Sequence, residues 1–283
     1  MCKIVFVVLH YENLKDTKEC LLSLLKYQKN KNVSIVLVDN GSKSQTIKSL
    51  QSEYQEKKNI YFLYTNKNLG FSKGNNMGFK FAKKQLKADI IILSNNDIIY
   101  PQNDYIQKLV FEYKKGFDIA GPNIISKYSL ERCNPVPIKY KSVSDVRKRI
   151  FKFYVLYGLS FFYLDNIFRY FIHLNKQPVL ITTDKVNFQL HGACLIFSGE
   201  YINKFNGLYN KTFMYEEESI LKFISDKQKL RMKYFDKLLV VHKEGSSTKK
   251  VHGDKISNRR FYYKCSLDSC KVLLKMMKGK LQY

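Results

Sequence analysis

The sequence predicts an α/β fold: a doubly wound, mostly parallel sheet with a helical insertion and a basic C-terminal helix. Three observations predict it. Short apolar runs alternate with amphipathic stretches through residues 1–125. Those runs lack polar alternation, as strands covered on both faces do. The rhythm then breaks over residues 126–185 and resumes in altered form over residues 186–250, before a basic tail at 251–283.

The first strand is expected at residues 3–9, and four more at 33–38, 60–64, 89–93 and 117–121, all of strand length and rich in β-branched side chains. Between the first two, Leu14, Thr17, Leu21, Leu24, Leu25 and Gln28 fall at helical spacing, with Asn13 and Asp16 as a cap. Residues 71–86 and 105–115 read as further helices. In a sheet of this kind ligands bind outside the carboxyl ends of the strands. The interrupting stretch opens with Pro135 and Pro137, passes Arg147, Lys148 and Arg149, and becomes crowded with Phe, Tyr, Leu and Ile from 151 to 172. Its longest uncharged piece, 153–164, is too short to span a bilayer, which takes about 20 residues. An interfacial helix and a buried helical hairpin both fit it. Residues 186–197 then form one long strand-like run with a Gly inside, a helix begins near Glu216, residues 238–242 give a last strand, and the tail after Asp254 reads as a basic amphipathic helix.

Composition excludes disorder and a multi-span membrane protein: 45% of the 283 residues are hydrophobic and 26% charged. The charge balance is the unusual figure. Forty-nine Lys and Arg against 24 Asp and Glu leave a net +25, which implies a polyanionic partner or surface: nucleic acid, an anionic membrane or a phosphorylated substrate. Six cysteines form no C-x-x-C pair, in keeping with a reducing compartment, and the N-terminus lacks the apolar core and cleavage site of a signal peptide. A cytoplasmic location is expected.

Chemistry is expected where strands end. Asp39, in Val38-Asp-Asn-Gly-Ser42, can accept a hydrogen bond from a nucleobase, with Tyr11 stacking on the ring; a plain turn has the same residues. Asn68-Leu-Gly-Phe-Ser-Lys-Gly-Asn-Asn-Met-Gly78 is a Gly- and Asn-rich loop feeding a helix, suited to an anion at the helix N-terminus or simply to a capped start. It is neither G-x-G-x-x-G nor a Walker loop. Asp97 follows an all-apolar strand, where it can bind a divalent cation or cap the next helix, and Asn95 and Asn96 add uncharged oxygen ligands or ribose contacts. Glu216, Glu217 and Glu218 form the acidic triplet of a basic chain. On a helix their side chains diverge by about 100°, so one or two are expected to enter a pocket; complementing the helix N-terminus is the alternative.

In order and spacing these segments resemble family 2 glycosyltransferases, in particular the rhamnosyltransferase-like members that build bacterial cell-surface polysaccharides. The resemblance includes His10-Tyr11-Glu12-Asn13 and the three loops above, and continues through His191-Gly-Ala-Cys194, Phe205-Asn-Gly-Leu208, Phe213-Met-Tyr-Glu-Glu-Glu218 and His242-Lys-Glu-Gly-Ser-Ser-Thr248. It implies a GT-A fold, Rossmann-like in its sheet, with residues 1–125 binding a nucleotide-sugar and residues 186–250 holding the acceptor and catalytic groups. It implies transfer with inversion from a UDP- or dTDP-sugar to a glycan acceptor, polyprenyl-diphosphate-linked, on the inner face of the cell membrane. Asp39 and Tyr11 would meet the base, and Asn68, Gly70 and Asn75 the ribose and diphosphate. Asp97 would bind Mg²⁺ or Mn²⁺ as the last position of a D-x-D motif, and His242 would be a further metal or phosphate ligand or else a strand-end surface histidine. Asn95 stands where that motif has its first Asp, so weaker metal dependence is expected. The match puts Glu218 at the general base, with Glu217 beside it as the orienting carboxylate; the assignment between the two stays open. Nucleic acid is no partner under this reading. The competing class is a basic module on the same fold that binds nucleic acid or anionic membrane without turnover.

Overall fold

The computed structural model describes residues 2–43, 46–54, 56–168, 187–243 and 255–281. Its sheet begins with β1 (Ile4–His10), followed by α1 (Leu14–Leu25), β2 (Val33–Asp39), α2 (Thr46–Tyr54), β3 (Ile60–Tyr64), α3 (Phe71–Lys84) and β4 (Ile90–Asn95). β3, β2, β1 and β4 lie side by side and parallel in that order. Along β1, Ile4, Phe6 and Val8 face one apolar layer with Leu21 and Leu24 of α1, while Val5 and Val7 face another with Phe79 of α3. Burial on both faces is why the run is continuously apolar. Gly74 and Gly78 let α3 settle onto the sheet: a Cβ at Gly78 would stand 2.3 Å from Val7 Cγ1.

The remaining main-sheet strands are β5 (Ile98–Ile99), β6 (Ile119–Ser126), β9 (Cys194–Ser198) and β10 (Met232–His242), with α4 (Tyr105–Lys114) between β5 and β6. β9 inserts antiparallel between β4 and β6; β10 runs parallel to β6, and β5 closes the edge antiparallel to β10. The single strand expected over residues 186–197 is two. β8 (Phe188–Gln189) pairs with β7 (Val136–Pro137) in a small separate sheet, and β9 starts only at Cys194. Between them the chain turns through His191 and Gly192, a break that apolarity alone does not reveal.

Because β9 is antiparallel, its amino end meets the carboxyl ends of its neighbours: Cys194 is opposite Ser94. β10 ends at the same edge, where His242 pairs with Ile98. His191, Asn95 to Asp97, His242 and Asp39 therefore collect along one rim of the sheet.

The helix expected over the aromatic stretch begins earlier. α5 (Val143–Ser160) starts at a capping box, in which Ser142 Oγ accepts from the Asp145 N–H and the Asp145 carboxylate accepts from the Ser142 N–H. One face, Val146, Phe153 and Leu156, packs on Ile220 and Ile224 of α7 (Glu217–Lys227) and on Tyr263, Leu267 and Met276 of α8 (Lys255–Met277). A short α6 (Gly199–Lys204) precedes α7. The tail is thus a helix, as expected, but its apolar side is covered. It is locked to the insertion by a buried ion pair, Arg259 Nε to Asp165 Oδ2 at 2.7 Å, with the Tyr263 hydroxyl donating to the same oxygen. The expected helical continuation through residue 172 and the closing segment 244–248 lie, from residue 169 and as a whole respectively, outside the described residues. Among the described residues no helix is long and apolar enough to cross a membrane.

Candidate active site

A cleft of about 280 Å³ opens at the carboxyl rim, between the start of α7, the His191 turn, α5 and α8. Glu216, Glu217 and Glu218 all line it. The expectation that helical divergence would keep at least one of them out is corrected, because Tyr215 (φ 70°) and Glu216 (φ 64°) are both left-handed and precede the helix. Two consecutive non-glycine residues in that region are strained, a cost borne mainly where a site requires the geometry. Glu216 is buried and accepts from the Ser219 hydroxyl at 3.3 Å.

Glu218 and Glu217 differ in environment. Burial pushes the Glu218 carboxyl up, but Lys139, with its ammonium 3.7 Å from Oε2, His191 and the Gly192 N–H on Oε1 at 3.3 Å outweigh it, and the net shift is downward. Lys139 shows the counterpart: burial lowers it, the Glu218 and Glu216 charges outweigh that, and the net shift is upward. For Glu217 the balance is reversed, because its surroundings push its carboxyl up more than its own backbone N–H and the Lys139 charge pull it down. Burial first, then the neighbouring Glu218 charge, push its carboxyl up to about 8, and its Oε1 is buried without a hydrogen bond. The surroundings thus favour the ionised form of Glu218 and the protonated form of Glu217.

Behind this pair stands His191, whose Nδ1 accepts the Ala193 N–H at 3.1 Å; burial depresses its pKa against the pull of Glu218. Its ring lies 5.6 Å, centroid to centroid, from that of His242. His242 Nε2 is 3.3 Å from Asp97 Oδ1. Asp97 Oδ1 is buried without a hydrogen-bond partner among the described residues and faces His242 Nε2, whereas His242 Nδ1, also buried and unpartnered there, lies on another edge of the ring. The facing pair, Asp97 Oδ1 and His242 Nε2, fits a hard divalent cation completed by substrate oxygens. No group of three or more His, Cys, Asp and Glu side chains suited to a metal assembles among the described residues.

The donor-side residues lie along the same rim. Asp39 is buried, and its Oδ1 accepts the Ser42 N–H at 3.0 Å; Tyr11 is half-buried in the loop after β1. Asn68 Oδ1 accepts from the Gly70 N–H and from Asn40, which leaves its amide nitrogen without a protein partner in that network. Gly70 caps α3 at φ 83°, and a Cβ there would come 2.2 Å from Phe213 O, so this loop presses directly on the segment leading to the three glutamates. The Phe71 N–H donates to that same carbonyl. Asn75 is buried with its amide on Phe71 O and its Oδ1 unpartnered. Asn95 lines the cleft, whereas Asn96 turns away and donates to Thr17 Oγ1 and Asn13 O on the α1 side.

Lys139, Arg149 and Tyr262 also line the cleft and were not legible as site residues. They come from the insertion and the tail, where no local pattern separates a site cation from the many surface ones. His191 had a signal: a polar His-Gly pair interrupting an apolar run.

The model of the glycosyl transferase family 2 matches residues 5–173. The low-salt glycan biosynthesis hexosyltransferase Agl10 of Haloferax volcanii is 20% identical over 213 residues, 75% of this chain and 58% of that protein. Among solved structures, residues 1–349 of S. aureus TarS superpose with a TM-score of 0.56 at 13% identity, covering 99% of this chain and 66% of that one. A second TarS structure gives 0.54 at 14% identity, over 85% of this chain and 36% of that one. The chain thus spans little more than half the length of the curated relative, and the structural likeness establishes a shared fold.

Proposed function

Because the chain belongs to glycosyl transferase family 2, we propose that it is an inverting glycosyltransferase which moves a sugar from a UDP- or dTDP-linked donor to a hydroxyl of a glycan acceptor. The observation that carries this reading is the contrast between Glu218, whose ionised form is favoured by Lys139 and the Gly192 amide, and Glu217, buried beside it in the same cleft with an unpartnered oxygen and a raised pKa. Inversion needs a base that takes the acceptor proton while the acceptor oxygen attacks the anomeric carbon from the side opposite the leaving nucleotide. Glu218 is that base. Glu217, as a neutral acid, donates a hydrogen bond that orients the acceptor. The carbon–oxygen bond to the diphosphate breaks as the new one forms, and the leaving group carries the electron pair.

On the donor side, Asp39 and Tyr11 meet the nucleobase. The amide nitrogen of Asn68 and the N–H groups of Ser72 and Lys73, which follow the Phe71 N–H already taken by Phe213 O, face the diphosphate. Asn75 braces the first turn of α3, Asn95 borders the sugar, and Asn96 holds the rim to α1. Asp97 and His242 would hold Mg²⁺ or Mn²⁺, which when bound neutralises charge on the departing diphosphate. We assign the acceptor to the polyprenyl-linked intermediates of capsule- or O-antigen-type polysaccharide, in keeping with the glycan biosynthesis named for the relative.

A panel of UDP-, dTDP- and GDP-sugars, read by thermal shift with and without Mn²⁺ or Mg²⁺ and by slow donor hydrolysis, tests the proposal. One UDP- or dTDP-sugar should both stabilise the protein and be hydrolysed. Binding of no sugar nucleotide, together with salt-steep binding of oligonucleotides, would overturn it in favour of the basic binding module.

A further inference from the structure

Fourteen large apolar side chains are exposed among the described residues, and eight of them fall within residues 151–168. Single exposed apolar residues are ordinary, whereas clustering of this kind marks an interaction surface. The cluster occupies the outer stripe of α5 and the turn after it. Arg147, Phe151 and Tyr154 recur at helical spacing, and Phe161, Phe162, Tyr163 and Ile167 continue the patch. Phe151 is 69% and Phe162 75% exposed. The opposite stripe of α5 is already packed on α7 and α8, so the core makes no use of these rings. Gly158, next along the outer stripe, has nothing within 4 Å of where a Cβ would stand.

Positive charge surrounds the rings. Arg147 and Lys148 are exposed at the amino-terminal side. Arg260 of α8 places its guanidinium 4.7 Å from the Phe161 ring centroid and 5.7 Å from that of Tyr163. An aromatic centre with a cationic rim is the composition that settles at the headgroup level of an anionic bilayer. A second copy of the same chain would bring a further +25 to the contact, which disfavours it.

We propose that the outer face of α5 and the turn 161–168 form a docking surface for an anionic lipid bilayer. The tail helix is not the docking element, because its apolar side is covered by α5 and α7. Arg149 lines the catalytic cleft from the inner side of the same helix, so docking by the outer side would hold that cleft one helix diameter, about 10 Å, from the lipid surface, within reach of a lipid-linked acceptor. That consequence rests on the proposed function; the docking itself does not.

Co-sedimentation of the full chain with vesicles tests it, using phosphatidylcholine alone or mixed equally with phosphatidylglycerol. Wild type should bind the mixed vesicles and not the neutral ones. The double variant Phe151→Ser/Phe162→Ser should lose at least about tenfold in vesicle affinity while keeping its circular dichroism and donor hydrolysis. Arg147→Glu/Lys148→Glu should bind more weakly and with a flatter salt dependence, and Lys271→Gln/Lys275→Gln on α8 should bind nearly as wild type does. Failure of wild type to bind, equal binding of neutral vesicles, or undiminished binding by the aromatic variant would overturn the proposal. So would an aromatic variant that dissociates a dimer in sedimentation without changing vesicle binding. If no form hydrolyses any sugar nucleotide while the vesicle pattern holds, the proposed activity fails and the docking surface stands.

Discussion

Gly192 donates its backbone N–H to Oε1 of Glu218 at 3.3 Å, joining the turn before β9 to the first turn of α7. A Cβ on Gly192 would stand 3.1 Å from that same oxygen. Glycine therefore permits an approach that fixes where the carboxylate can sit.

Gly192→Ala should thus shift the carboxylate by a few tenths of an ångström. The moving atom ends a side chain, so little stability is lost, but misplacement of a reacting group is costly. Steady-state transfer assays should show kcat down by about tenfold, with Tm nearly unchanged.

Lys139→Ala removes the cation that opposes desolvation of Glu218. Loss of a neighbouring positive charge favours the protonated carboxyl, so the base becomes ionised only at higher pH. The acidic limb of the kcat/KM profile should move to higher pH, and a profile that keeps its wild-type limb would remove Lys139 from this role.

Glu217 provides a stability test. Its folded-state pKa of about 8 lies above the ordinary 4.5. Below pH 4.5 both states are protonated and the group contributes nothing to the difference. As pH rises from 4.5 to 8 the unfolded chain releases its proton first, so native stability falls across that window. Glu217→Gln should therefore leave Tm unchanged near pH 4.5 and raise it near pH 8, as scanning calorimetry at the two pH values can check.

Gly70→Ala combines a left-handed residue with a Cβ placed 2.2 Å from a backbone oxygen. Backbone cannot yield as a side-chain tip does, and denaturant melts should show a loss on the order of 3 kcal/mol. Because the Phe213 carbonyl precedes the three glutamates, transfer should fall with it.

Asp97→Asn keeps shape but weakens the donor pair formed with His242. The thermal shift produced by Mn²⁺ with a sugar nucleotide should shrink or vanish, whereas a shift equal to that of wild type would remove Asp97 as a ligand.

Much of the sheet was legible because strands buried on both faces must be continuously apolar: the runs at 33–38 and 60–64 are β2 and β3 almost to the residue. Residues 186–197 misled for the same reason. Apolarity reports burial, whereas the pairing of Gln189 with Val136 and of Leu195 with Leu93 depends on strands distant in sequence. Ser142 with Asp145 was a readable helix start that the aromatic crowding after it obscured. At the site, Glu216 to Glu218 stood out as acidic in a basic chain, but a helical projection could not foresee two left-handed residues before Glu217. Lys139 and Arg149 were hidden among 49 like-charged residues, and only the packing of α5 on α7 and α8 distinguishes them.

The most direct measurement is transfer by Glu218→Gln alongside donor affinity. Removing a general base should lower kcat by about a hundredfold to ten-thousandfold, while calorimetric binding of the sugar nucleotide with Mn²⁺ stays within about twofold of wild type, since the amide keeps the size of the side chain and can still bond to Gly192. A Glu218→Gln enzyme that transfers sugar at the wild-type rate would contradict the account.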